Sequence, residues 1–158
     1  MSMGLVLLLI FVIGLVSGLR TFTGVAAVTW AAHFGWISLS GSPLSFVGSI
    51  WAVAIFTILA LVEYVTDQLP TTPARTVPMQ LGARLVLGTL AGVCLAIAGG
   101  VSLLFGVVCA IVGVLVGTYG GYHARAGLVR SLHVRDIVVA IPEDLIAIGL
   151  GFWAVSRF

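Results

Sequence analysis

The chain has 158 residues, of which 61% are hydrophobic and 8% charged, with a formal net charge of +2 and no lysine. Its mean hydropathy of +1.26 leaves no stretch for a soluble domain, so residues 1–158 are expected to form a single integral membrane domain. The small net charge, with no basic patch among exposed aromatics, excludes nucleic acid as a partner.

Apolar segments follow one another over residues 3–17, 22–36, 46–66, 85–98, 101–122 and 136–155. They predict an all-α, polytopic membrane helix bundle of five to six spans, with short or broken helices. The first segment lacks a basic leader and a small-residue cleavage site, so it is read as a retained membrane helix. Gly18-Leu19-Arg20-Thr21 separates it from the second. Each of these two covers about 15 residues, or some 22 Å of helix, which fits either two tilted spans or a re-entrant pair. Gly18 and Gly24 are expected to supply the helix break between them. The third segment reaches full membrane length and closes on Glu63 and Asp67. A proline-rich connection, residues 70–78, leads to Arg84 and the fourth segment. The fifth is again of full length and ends before His123, Arg125, Arg130 and Arg135. In the last, Pro142 reads as the first residue of a short helix starting at depth, with Glu143 and Asp144 in its first turn.

Arg20, Arg75, Arg84, Arg125, Arg130 and Arg135 fall on one side of these segments and Arg157 on the other. The positive-inside rule makes the Arg-rich loops cytoplasmic in a multi-pass protein of the cell inner (plasma) membrane. Gly113, Gly117 and Gly121 recur every fourth residue, a pattern that serves close helix packing within the chain or a homo-oligomer face. Trp30, Trp36, Trp51 and Trp153 lie near segment ends, as interface anchors do. Cys94 and Cys109 sit in apolar runs and read as small buried residues rather than a disulfide framework. A GxRxxxG pattern occurs at Gly18–Gly24 and at Gly82–Gly88, which suggests an inverted repeat of three segments per half.

The charges carry the functional information. One ionised side chain at the centre of a membrane helix costs about 2.5–3.5 kcal/mol on insertion scales, so such groups gather at interfaces, in pairs or around a polar cavity. Glu63 and Asp67 share a helix face, where they repel each other, and they lie at a helix C-terminus, where the macrodipole disfavours anions. They therefore call for a cation: Arg20, Arg84 or a bound ligand, with a solvated face as the remaining alternative. Glu143 and Asp144 are either ordinary first-turn acids or part of an ion site at a helix start. His123 and Arg130 form a secondary set, since a histidine beside carboxylates shuttles protons. No zinc-ligand spacing, cofactor motif or catalytic signature is found, so no metal and no cofactor are expected. The leading reading is a small transporter or channel-like protein. Arg20, Glu63, Asp67, Arg84, Glu143 and Asp144 would form a site open to the cytoplasm for a small ion, proton or small polar solute, within a shell of membrane lipid. A membrane-embedded lipid-head-group binder or enzyme is one alternative. A structural membrane subunit held by ion pairs is another.

The same residues resemble the DUF4126 family of bacterial integral membrane proteins, whose function is uncharacterised. A GLR motif is matched by Gly18-Leu19-Arg20, and an E-x-x-x-D-x-x-P motif by Glu63, Asp67 and Pro70. An Arg–small–Gly helix start is matched by Arg84 to Gly88, a His followed seven residues on by Arg by His123 and Arg130, and a late Glu-Asp pair by Glu143 and Asp144. The chain departs from the pattern at Gln68, where the family suggests Lys. It departs again at Thr72, Pro73 and Ala74, where further acids are expected, and at Ala126, which replaces a Lys beside Arg125. The resemblance implies a membrane fold and this motif set, and no established activity.

Overall fold

The computed structural model describes residues 1–67 and 76–158. The proline-rich connection, with Pro70, Arg75 and the departures at Gln68, Thr72, Pro73 and Ala74, lies outside the described residues. Among these, all regular structure is helical: α1 (Met3–Leu19), α2 (Thr23–His33), a short 3-10 turn (Ser45–Gly48), α3 (Ile50–Thr66), α4 (Pro78–Ala98), α5 (Leu103–Leu132) and α6 (Asp136–Val155). Helices α4, α5 and α6, at 21, 30 and 20 residues, are long and apolar enough to cross a membrane, whereas α1 and α3 are apolar but shorter. The outer surface is as hydrocarbon-rich as the core, with Trp51, Met79, Val86, Leu104 and Leu145 all pointing outward. Water-facing surfaces rarely carry so much contiguous apolar area; lipid-facing ones do. The chain is a membrane protein.

Several boundaries differ from those expected, each for a local reason. The third helix begins only at Ile50, because the Ser49 hydroxyl accepts from the Ala52 amide as its N-cap, so α3 is shorter than a full span. The fourth begins earlier, at Pro78, where the missing N–H costs nothing, so Arg84 lies inside α4 rather than in the loop before it. The fifth runs past His123, Arg125 and Arg130, through the good helix formers Ala124, Ala126 and Leu128, and stops at His133 in the left-handed region at φ 52°. The last helix begins at Asp136, after the extended Arg135, and Pro142 lies in its interior. Pro142 is therefore not the helix start expected of it. It removes one backbone bond from a continuous helix, which membrane helices tolerate.

Successive helices alternate in direction. Gly88 of α4 and Gly99, which caps its C-terminus, pack beside Ser17 and Val6 of α1, and Ala110 and Gly117 of α5 beside Gly14 and Gly18. Thr23 and Trp30 of α2 bond Tyr64 and Thr57 of α3, and Arg20 meets Asp144 of α6. The C-termini of α1, α3 and α5 thus gather with the N-termini of α2, α4 and α6 at one end, which carries Arg20, Arg84 and Arg125. The four tryptophans and Arg157 lie toward the other. An inverted repeat would put Arg20 and Arg84 at opposite ends. They share one, and the first sits at a helix break while the second is inside a helix, so the two GxRxxxG patterns are not equivalent positions.

The core is the packing of α1 against α4 and α5. Gly113 and Gly117 bring α5 onto the α1 backbone, where a Cβ would collide with the carbonyl oxygens of Phe11 and Leu15. Those two glycines are thus used inside the chain, and Gly121 is half-buried. Gly117→Ala is expected to cost about 1–3 kcal/mol by forcing this crossing apart. Gly120, on the same helix, has open space around it, so Gly120→Ala should be neutral or slightly stabilising. Thermal melting of the two variants in detergent checks the contrast.

Candidate functional site

The site grows from the break between α1 and α2. Residues 20–22 leave the helix, so carbonyls at the end of α1 and amides at the start of α2 need partners away from bulk water. The Gly18 carbonyl accepts from Arg84 Nη1 at 2.8 Å and from the Thr118 hydroxyl at 3.3 Å. The Thr21 and Phe22 amides donate to Glu63 Oε1 and Oε2 at 2.6 and 2.9 Å. Glu63 is a buried carboxylate that caps a neighbouring helix across the bundle. Arg84 Nη2 lies 3.7 Å from Glu63 Oε1, so the two ions that seal the break also pair with each other. This resolves the awkward position of Glu63. The C-terminus of its own helix disfavours it, but the N-terminus of α2 and the Arg84 charge favour it.

Arg20 emerges from the same break and is completely buried. Its Nη1 pairs with Asp67 Oδ2, its Nε lies 2.5 Å from Asp144 Oδ1, and its Nη2 is 4.0 Å from Glu143 Oε2. The Tyr64 ring flanks the guanidinium at 5.9 Å, close enough for a cation–π contribution, and the Tyr64 hydroxyl is 2.7 Å from Thr23 Oγ1. Adjacent residues on a helix face different neighbours, and α6 uses this: Asp144 turns inward to Arg20, while Glu143 lies between Arg20 and Arg125. Arg125 Nη1 is 3.4 Å from Glu143 Oε2, and its Nε donates to Asp136 Oδ1 at 2.8 Å.

All six principal residues expected from the sequence therefore converge. Gly18 and Gly24 flank the break, Gly24 lying so close to Ser17 that a side chain there would strike its hydroxyl. His123 and Arg130, the secondary pair, stay outside: both are exposed on α5. Arg125, Asp136, Tyr64 and the Thr21 and Phe22 amides are members that sequence reasoning missed. Arg125 was legible only through the helix-forming residues after Tyr122, which carry it to within reach of α6.

Among the described residues the network holds five carboxylates, Glu63, Asp67, Asp136, Glu143 and Asp144, against three guanidiniums, Arg20, Arg84 and Arg125. Two surface cavities border it. One, of about 270 Å³ between α3 and α4, is edged by Thr21, Glu63, Asp67 and Gln80. The other, of about 330 Å³ between α5 and α6, is edged by Arg125 and Glu143. Arg20 lies between them. Among the described residues no three His, Cys, Asp or Glu side chains are grouped to hold a metal ion. The arrangement places three carboxylates, Asp67, Glu143 and Asp144, within reach of one buried guanidinium.

Comparison with protein families finds a match to the one described as "Domain of unknown function (DUF4126)" over residues 7–156. Neither the curated proteins nor the solved structures give a match.

Proposed function

This chain belongs to the DUF4126 family, and from that premise we propose that it is a small transporter or channel-like membrane protein whose Arg20-centred carboxylate cluster takes up a proton or small cation. The observation that carries the reading is the gathering of three carboxylates, Asp67, Glu143 and Asp144, on the fully buried Arg20. Carboxylates held close together away from water favour taking up a proton or a cation. The work divides among the residues. Glu63 and Arg84 close the helix break and hold the frame. Asp67, Glu143 and Asp144 surround Arg20 and supply the exchangeable ligands, with side chains 16%, 11% and 12% exposed. The arginine end is assigned to the cytoplasm by the positive-inside rule, with Arg130 and Arg135 at that end and Arg157 at the other, in the plasma membrane.

Protein reconstituted into vesicles should carry H⁺, Na⁺ or K⁺ faster than empty vesicles under an imposed gradient. Asp67→Asn with Asp144→Asn should reduce that flux about tenfold or more, as expected when charge-assisted contacts worth roughly 1.5–3 kcal/mol are removed. A monodisperse elution profile would show the double variant folded. Flux no greater than that of empty vesicles for all three ions, or parental flux in the folded double variant, overturns the assignment. The competing reading, a structural subunit locked by ion pairs, draws on the consumption of Glu63 and Arg84 by the helix break, and the first of those outcomes favours it.

A further inference from the structure

The end of the bundle that carries Arg20 also carries positive charge that the cluster does not use. The chain has five acidic residues, and ion pairs join them to Arg20, Arg84 and Arg125. Among the described residues no acid pairs with Arg130, in the last turn of α5, or with Arg135, which caps the start of α6. Both are exposed. A guanidinium is always charged and only donates, so its counterpart is an anion, and here the chain supplies none. Helix length sets the depth of these residues. Helix α5 has 30 residues, about 45 Å of helix, against roughly 30 Å of hydrocarbon and roughly 40–45 Å with the head groups. Some twenty residues from Leu103 reach Tyr122. Tyr119 and Tyr122 are exposed there, where interfacial aromatics sit. Arg130 follows about two turns on and falls at head-group level. Leu128 and Leu132 are exposed on the same turns, and Ile137 on the first turn of α6. Arginine beside outward leucine and isoleucine suits the boundary between acyl chains and phosphates, not open water.

We propose that the tip formed by the end of α5 and the start of α6 is a docking surface for anionic phospholipid head groups, with Arg130 and Arg135 as the phosphate-binding residues. Leu128, Leu132 and Ile137 rest on the acyl chains below. The guanidinium fork matches phosphate oxygens two at a time. A zwitterionic lipid offers the same phosphate with an ammonium that cancels its charge, so net lipid charge sets the preference. Asp136, the acid at this tip, is engaged by Arg125 and stays with it. At the other end of the bundle Arg157 lies over the Trp153 ring at 5.4 Å and has no second arginine beside it. The lipid preference therefore belongs to one end of the protein.

The test is native mass spectrometry of the detergent-purified protein titrated with phosphatidylglycerol and phosphatidylcholine bearing identical acyl chains. The glycerol lipid should be retained in preference. Arg130→Gln and Arg135→Gln should each lower the retention ratio about fivefold, the usual contribution of one basic residue at an anionic membrane surface, and the double variant should lower it further. Both side chains are exposed, so the double variant should melt with the parent. Arg157→Gln, at the opposite end, should leave the ratio unchanged. Raising the salt concentration tenfold should shrink the ratio in the parent protein itself, which tests the electrostatic basis without any substitution. Equal retention of the two lipids by the parent, which would leave these arginines to a soluble anionic partner, overturns the proposal. So does an undiminished ratio in the folded double variant, a loss in Arg157→Gln as large as in the double variant, or a parental ratio indifferent to salt. The readout needs no gradient and no flux, so it stands or falls apart from the ion-carrying role.

Discussion

Arg20→Met is expected to lower the stability of the folded protein severely. The substitution keeps most of the side-chain volume and removes the positive charge around which Asp67, Glu143 and Asp144 are arranged. Removing one partner of a buried ion pair costs about 3–5 kcal/mol, because the partner charges remain buried and uncompensated. Whole domains are stable by only about 5–15 kcal/mol, so this is a large fraction of the total. Neutralising the acids should restore part of the loss. Arg20→Met combined with Asp67→Asn and Asp144→Asn should melt well above Arg20→Met alone in detergent. The non-additivity in such a cycle measures the coupling directly. If Arg20→Met alone melts with the parent, the carboxylates are not held by this guanidinium, and the cluster has a different basis.

Glu63→Gln is the second large effect, and its cause is geometric. Both carboxylate oxygens of Glu63 are used, one by the Thr21 amide and one by the Phe22 amide. An amide side chain keeps one oxygen and presents an NH₂ donor where the other acceptor stood. One backbone N–H then faces a donor, and the Arg84 guanidinium loses its anion. The lost charge-assisted bond is worth about 1.5–3 kcal/mol, with the unsatisfied amide adding to it. The loss should be local, opening the start of α2. Amide hydrogen exchange at residues 21–25 should accelerate strongly in Glu63→Gln while the α4–α5 core keeps its protection. Unchanged exchange at Thr21 and Phe22 would remove Glu63 from its capping role. The same logic makes Glu63 a poor probe of ion binding, because its substitution disturbs the frame. Asp67 and Asp144 are the better probes.

The charged residues named from the sequence were legible because hydrocarbon makes isolated ions expensive, so a few acids and arginines in an apolar chain had to seek one another. Motif order placed Arg20, Glu63, Asp67, Arg84, Glu143 and Asp144 in one set. It could not divide them into frame and ligand. That division depends on backbone amides at residues 21 and 22, which look alike in any sequence and become special only because the chain breaks there. Pro142 misled for a similar reason. Proline fits a first helical turn and also a membrane helix interior, and local preference does not choose between them. Asp136 and the residues after it do, by continuing the helix backwards.

Composition and apolar spacing determined that this is an all-helical membrane protein with most of its ionised groups collected rather than scattered, since both follow from the transfer cost of each residue taken alone. Only the tertiary structure decided which guanidinium meets which carboxylate, that Arg125 and Asp136 extend the network, and that Gly113 and Gly117 are spent on α1. Those facts depend on the crossing of helices far apart in the chain, where directions and distances are set by backbone packing that no local sequence window contains.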